Sequence, residues 1–199
     1  MFEAAEYIGI VAFAISGFFV AVRSRLDFLG VLVSVFLTAL GGGVIRDVIV
    51  GRVPYAFRDN IPAMVILSVM LMLLLFRFHK RESIENRPIF ILSDSIGLIS
   101  FSITGALIAL EAQLNVTGTL ALAFITAVGG GITRDVIINE VPFVFKTGFY
   151  GTVSLLVGVW VYLLERTGQL NFYWVSAVFT AGVLLRMVAY YRKWSIPLL

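Results

Sequence analysis

The sequence predicts an all-α integral membrane protein of seven transmembrane helices, built as two inverted three-helix repeats plus a seventh helix. Three observations predict it. Of 199 residues, 60% are hydrophobic and only 14% charged, with mean hydropathy +0.99. That is more apolar surface than a soluble domain can hide. Apolar stretches of membrane-crossing length recur along the chain. Finally, the run Gly41-Gly42-Gly43-Val44-Ile45-Arg46-Asp47 returns as Gly129-Gly130-Gly131-Ile132-Thr133-Arg134-Asp135, displaced by 129 − 41 = 88 residues.

A spanning helix needs about 20 mostly apolar residues. The expected spans run about 4–22, 28–50, 60–78, 90–110, 117–138, 147–165 and 172–191. They form a single membrane domain over residues 1–199, with repeat 1 at 4–78, repeat 2 at 90–165 and the seventh span at 172–191. The first span carries Glu3 and Glu6 where a signal peptide carries basic residues. Its counterpart lies inside the chain, near Asp94, so it reads as a retained helix. The seventh span has no counterpart and reads as a packing or oligomer element.

Residues 6–58 align with 94–146 without a gap, and 22 of the 53 positions are identical. Gly9 matches Gly97, Phe13 matches Phe101, Gly17 matches Gly105 and Gly30 matches Gly118. Three spans per unit is an odd number, so the second unit enters the membrane from the opposite side. Alternate loops place 11 of the 15 basic residues on one face, which should be cytoplasmic. The densest signal is Arg77-Phe78-His79-Lys80-Arg81, between the repeats. The chain is expected in the cell membrane, multi-pass, with its N-terminus outside and its C-terminus in the cytoplasm. Arg23 and Arg25 end the first span inside, and their counterparts Glu111 and Gln113 end the fourth span outside. The pair Arg52 and Glu140 runs the other way.

Three successive glycines in mid-span favour a break or sharp kink in the second and fifth helices. Unwound backbone is tolerated only against protein or a water-filled path, where freed carbonyls suit cations. Gly41, Gly42, Gly43, Gly129, Gly130 and Gly131 are therefore candidate pore and hinge positions. The competing reading is close helix packing. Two symmetric copies, each followed by Arg-Asp, favour the pathway, because ions within a membrane are expensive and usually face a polar route.

Gly42 lies about 14 residues into its span, or roughly 21 Å deep at helical rise. Arg46 then lies towards the outer face and Arg134 towards the inner, which argues against an Arg46–Asp135 pair. Glu6 begins the first span near Arg46, and Asp94 begins the fourth near Arg134. The expected charge clusters are Glu6/Arg46/Asp47 and Asp94/Arg134/Asp135, one near each mouth. The alternative is structural neutralisation, an Arg snorkelling to the headgroups beside a carboxylate. Most hydroxyls in apolar helices bond their own i−4 carbonyl. The equivalent pairs Ser16/Thr104 and Thr38/Thr126 are the ones expected near the path. Pro54 and Pro142 are expected to terminate the glycine-containing helices.

With no cysteine and one histidine, thiolate and His-rich metal sites are not expected, nor is a His-based triad. No nucleophile–base set appears, so no enzyme activity and no cofactor are expected. The small net charge of +3 does not suggest nucleic-acid binding.

The runs GGGVIRDVIVGRVPYAF (41–57) and GGGITRDVIINEVPFVF (129–145) resemble the prokaryotic members of the trimeric intracellular cation (TRIC) channel family. The same duplicated unit is also labelled a bacterial glycine-transporter domain. The resemblance covers nearly the whole chain. It implies a homotrimer embedded in lipid, with a pore in each protomer lined by kinked second and fifth helices. Potassium and other monovalent cations pass through such a pore. Animal members carry a Lys-containing motif beside the first glycine run. Here Val44 and Ile45 follow it, so gating by that lysine is not carried over. Two functions stand: a weakly selective cation channel, or a secondary transporter of glycine or a similar zwitterion.

Overall fold

A computed structural model describes residues 1–76, 78, 86–146 and 149–194. The basic loop that carries the orientation argument lies outside these residues, apart from Phe78. Among the described residues the chain is all helical. It comprises α1 (Phe2–Arg23), α2 (Phe28–Ile49), α3 (Tyr55–Arg58), α4 (Ile61–Leu75), α5 (Asn86–Glu111), α6 (Val116–Ile137), α7 (Phe143–Lys146), α8 (Tyr150–Arg166) and α9 (Phe172–Tyr191). Among the described residues, five stretches are long and apolar enough to cross a membrane: Phe2–Arg23, Phe28–Ile49, Pro88–Glu111, Val116–Ile137 and Phe172–Tyr191. The expected third span, 60–78, is the shorter helix α4 of 15 residues, and the expected sixth is α8 of 17 residues.

Local chemistry sets the helix ends, and it does so twice. Asp27 caps α2 by accepting from the Gly30 backbone N–H at 2.7 Å, and Asn115 caps α6 by accepting from Gly118 at 2.8 Å. Beyond α2 the chain turns through Gly51 at φ +73°, and beyond α6 through Asn139 at φ +59°. Glycine and asparagine are the residues that tolerate this left-handed backbone best. The turns let Arg52 N–H donate to the Asp47 carbonyl and Glu140 N–H to the Asp135 carbonyl, both at 2.8 Å. Both helices thus end well before the prolines. Pro54 instead stands at the start of the short helix α3, and Pro142 just before α7. The expectation that proline terminates α2 and α6 is corrected. Phe57 on α3 and Phe145 on α7 are each 74% exposed, as aromatic anchors at a lipid–water boundary would be.

The core is built around two crossings. In the first, α1 meets α5, where Phe13 packs over Gly97 and Phe101 over Gly9, with the two rings 5.2 Å apart. In the second, α2 meets α6 along the glycine runs. Around them, α4 packs on α1, α8 on α5 and α6, and α9 on α5 and α8.

The glycine runs do not break their helices. Both α2 and α6 stay helical through all three glycines. The expected unwinding, with its freed carbonyls, is corrected: the glycines serve close approach. A Cβ on Gly42 would collide with the Thr126 carbonyl oxygen, and one on Gly130 with that of Thr38. A Cβ on Gly41 would lie 3.1 Å from the Gly130 Cα, and one on Gly129 would lie 3.4 Å from the Gly42 Cα. Backbone packs on backbone, as small residues permit in membranes. An intact helix also satisfies every internal N–H and C=O without water, which an apolar medium rewards.

Candidate functional site

Just past each glycine contact, the helix presents an arginine and an aspartate. The Arg46 side chain is buried to 1% exposure, and its donors are well used. Nη1 donates to Glu6 Oε2 at 2.7 Å, Nη2 to Glu6 Oε1 at 3.1 Å, and Nε to Asp47 Oδ1 at 2.8 Å. Nη1 also donates to Thr104 Oγ1 on α5 at 3.1 Å. The Phe2 ring lies 5.2 Å from the guanidinium. Asp47 Oδ2 accepts the Tyr55 backbone N–H at 2.9 Å, which ties α3 to the cluster. A two-pronged carboxylate–guanidinium pair with all three nitrogens engaged is the form in which such charges survive burial.

Arg134 is equally buried, and its cluster is built on the same plan with one difference. Nε donates to Asp135 Oδ1 at 2.7 Å, and Asp135 Oδ2 accepts the Phe143 N–H at 2.8 Å. Asp94 holds the place of Glu6 but is one methylene shorter. Among the described residues it makes no direct ion pair with Arg134. Ser16 bridges them instead, with its hydroxyl 3.5 Å from Arg134 Nη1 and donating to Asp94 Oδ1 at 3.1 Å. Thus Ser16 of α1 serves the arginine on α6, and Thr104 of α5 serves the arginine on α2.

These are the two clusters read from the sequence. Arg46 and Asp135, which the depth argument kept apart, form no ion pair among the described residues. The third glycine of each run now has a place as well. Gly43 lies where a Cβ would be 3.4 Å from Glu6 Oε1 and 3.7 Å from Arg46 Nη2, and Gly131 where it would be 3.8 Å from Arg134 Nη2. Each leaves room for the arginine to fold back along its helix. Thr38 and Thr126 lie at the glycine contact, fully buried, each donating to its own i−4 carbonyl at 2.6 Å. Their hydroxyls are occupied by their own helices.

A small cleft lies beside the Arg46 cluster, lined in part by Glu6, Gly43, Asp47 and Tyr55. The Tyr55 hydroxyl shares a hydrogen bond with that of Tyr7. No group of three or more His, Cys, Asp or Glu suited to a metal ion occurs among the described residues.

Two features escaped the sequence. Arg23 Nη2 donates to Glu140 Oε2 at 2.9 Å, and Ser24 Oγ to Glu140 Oε1 at 3.0 Å. At the other end of the molecule, Arg52 Nη1 donates to Glu111 Oε2 at 3.1 Å. The Arg52/Glu140 mismatch, which ran against the orientation argument, is hereby accounted for. Where the first unit has Arg23 and Arg52, the second has Glu111 and Glu140, and each acid pairs with the arginine that is not its own counterpart. The reversal was visible in the alignment, but the pairing needed the fold. The other feature is Arg186 on α9, buried to 1% exposure with its guanidinium 4.9 Å from the Tyr150 ring centroid.

The architecture and both motifs have close parallels. One solved structure, from work on conductance through TRIC cation channels, is 33% identical and superposes with a TM-score of 0.85, covering 100% of this chain and 97% of that one. The chain belongs to the TRIC channel family. A prokaryotic TRIC channel crystallised in 0.5 M KCl is 30% identical with a TM-score of 0.87, covering 96% of both chains. The TRIC orthologue from Rhodobacter sphaeroides is 27% identical with a TM-score of 0.87, covering 97% of this chain and 98% of that one. The family model described as glycine transporter matches twice, at residues 3–79 and 91–166. The Bacillus subtilis UPF0126 membrane protein YvgT is 34% identical over 98% of this chain and 95% of its own length. A UPF0126 membrane protein of Deinococcus radiodurans is 40% identical over 80% of this chain and 74% of its own. This TRIC-family chain is a membrane protein of a type associated with ion transport.

Proposed function

We propose that the chain is a potassium-permeable cation channel, active as a homotrimer in the cell membrane, with a path in each protomer along α2 and α6. Seven of its helices, α1, α2, α4, α5, α6, α8 and α9, cross the bilayer. The first six form two inverted units, and the N-terminus lies outside. The carrying observation is the placement of two buried Arg–carboxylate clusters at opposite ends of a glycine-lined helix contact. Buried charges in a membrane mark polar routes more often than not. The tight contact of Gly42 with Thr126 and of Gly130 with Thr38 is a closed constriction on that route. Separation of α2 from α6 there opens it, and the carboxylate excess of the Glu6/Arg46/Asp47 cluster holds cations weakly at its mouth, as conduction requires.

The test is electrical. Purified protein in a planar bilayer gives discrete single-channel currents in KCl if the reading holds. A second reading, alternating access for glycine or a similar zwitterion, draws on the same closed contact between two mouths and on the glycine-transporter description of the family model. Silence in KCl with saturable glycine uptake into proteoliposomes selects it.

A further inference from the structure

The two mouths share a plan but not a charge. At the Arg46 end, two carboxylates, Glu6 and Asp47, face one guanidinium beside a small cleft. The cluster carries one excess negative charge. At the Arg134 end, Asp94 and Asp135 face Arg134 and would leave the same excess. There the seventh helix intervenes. Arg186 of α9 places its guanidinium 4.9 Å from the Tyr150 ring and 5.8 Å from the Tyr190 ring. The Tyr150 ring in turn packs 5.6 Å from that of Phe143, whose backbone N–H donates to Asp135 of the cluster. Arg186 Nε and Nη1 have no hydrogen-bond partner, so its charge is spent on the cluster's field and on two aromatic faces. Among the described residues neither the Tyr150 ring nor the Arg186 guanidinium has an equivalent at the other mouth. The residue equivalent to Tyr150 is Pro62, at 150 − 88, and α9 has no counterpart.

We infer that Arg186 is a specificity-determining residue: it balances the Asp94/Asp135 cluster and makes the permeation path electrostatically one-sided. This rests on the channel reading above. A mouth with excess negative charge concentrates cations before they enter, and a balanced mouth does not. The charges are shielded from solvent, so salt screens them little. Cations therefore enter more readily from the Arg46 mouth, and current in that direction exceeds current in the other at equal voltage.

Two measurements test this. In symmetric KCl the wild type gives a curved single-channel current–voltage relation. Arg186→Gln straightens it and raises the smaller limb about twofold or more, whereas Arg186→Lys, which keeps the charge, retains the curvature. Wild-type curvature and conductance in Arg186→Gln would overturn the inference. Thermal unfolding of the purified protein tests the charge balance without conduction. Asp94→Asn leaves the Arg186 charge uncompensated and destabilises, and adding Arg186→Gln recovers part of the loss. Arg186→Gln gives no such recovery with Glu6→Gln. Strict additivity of Asp94→Asn and Arg186→Gln would sink the pairing. A wild type silent in KCl whose Asp94 and Arg186 couple in melting removes the channel reading and leaves the charge assignment standing.

Discussion

The carbonyl oxygen of Thr126 occupies the place where a side chain on Gly42 would begin, and the carbonyl oxygen of Thr38 stands likewise against Gly130. The two glycines are the tightest points of the contact between α2 and α6, and backbone atoms cannot step aside as a flexible side chain can. Gly42→Ala and Gly130→Ala should each destabilise the fold by about 1–3 kcal/mol or more, the usual cost of overpacking. Gly131→Ala, where a Cβ meets only an arginine tip at 3.8 Å, should be near neutral. Thermal melts of the detergent-solubilised protein separate the two outcomes, and equal losses at all three positions would contradict the packing role.

The Arg46–Glu6 pair is buried and held by two hydrogen bonds. Asp47 still balances Arg46 when Glu6 is neutralised, but two buried charge-assisted hydrogen bonds are weakened, so Glu6→Gln should cost about 1–3 kcal/mol. The double reversal Glu6→Arg with Arg46→Glu should recover part of what either single reversal loses. Expression of folded protein by size-exclusion chromatography reports this directly, and no recovery would mean that the contact is incidental.

Ser16 and Thr104 hold equivalent places but carry different burdens. Thr104 adds one bond to an arginine already satisfied by two carboxylates. Ser16 provides the hydrogen-bonded link between Arg134 and Asp94. Ser16→Ala should therefore destabilise more than Thr104→Ala, by about 1 kcal/mol or more, since it leaves buried charged groups short of a partner. Equal melting temperatures for the two variants would refute the bridging role.

The Arg23–Glu140 and Arg52–Glu111 pairs are largely exposed, and each is worth about 0–1 kcal/mol in stability. Glu140→Arg places like charges beside Arg23, and Arg23→Glu in the same chain restores the attraction. A double-mutant cycle on melting temperature should show a coupling that shrinks as salt rises. A coupling indifferent to salt would point to packing instead.

The charge clusters were legible in the sequence because the helix has a fixed rise. Residue number converts to depth, and Glu6 and Arg46, at corresponding depths on neighbouring helices, had few other partners. The duplication was legible for the same reason: its 88-residue offset is printed in the residues. The role of the glycines was not legible. Glycine both loosens a backbone and lets another backbone approach, and sequence carries no term for the neighbour that decides between them. The hydroxyls of Thr38 and Thr126 were ambiguous on the same account, since a hydroxyl at the constriction reads alike whether it faces a path or bonds its own helix.

Composition and periodicity alone determined that the chain lives in a membrane, that it is helical, and that its unit occurs twice. Those properties are sums over many residues or repeats of a pattern, and no folding is needed to read them. Tertiary structure decided which backbones touch, which arginine meets which hydroxyl across the two units, and that α9 lays Arg186 against one cluster and not the other. Each depends on distance between residues far apart in the chain. Such distances follow from how helices pack, which the order of residues along any one helix does not state.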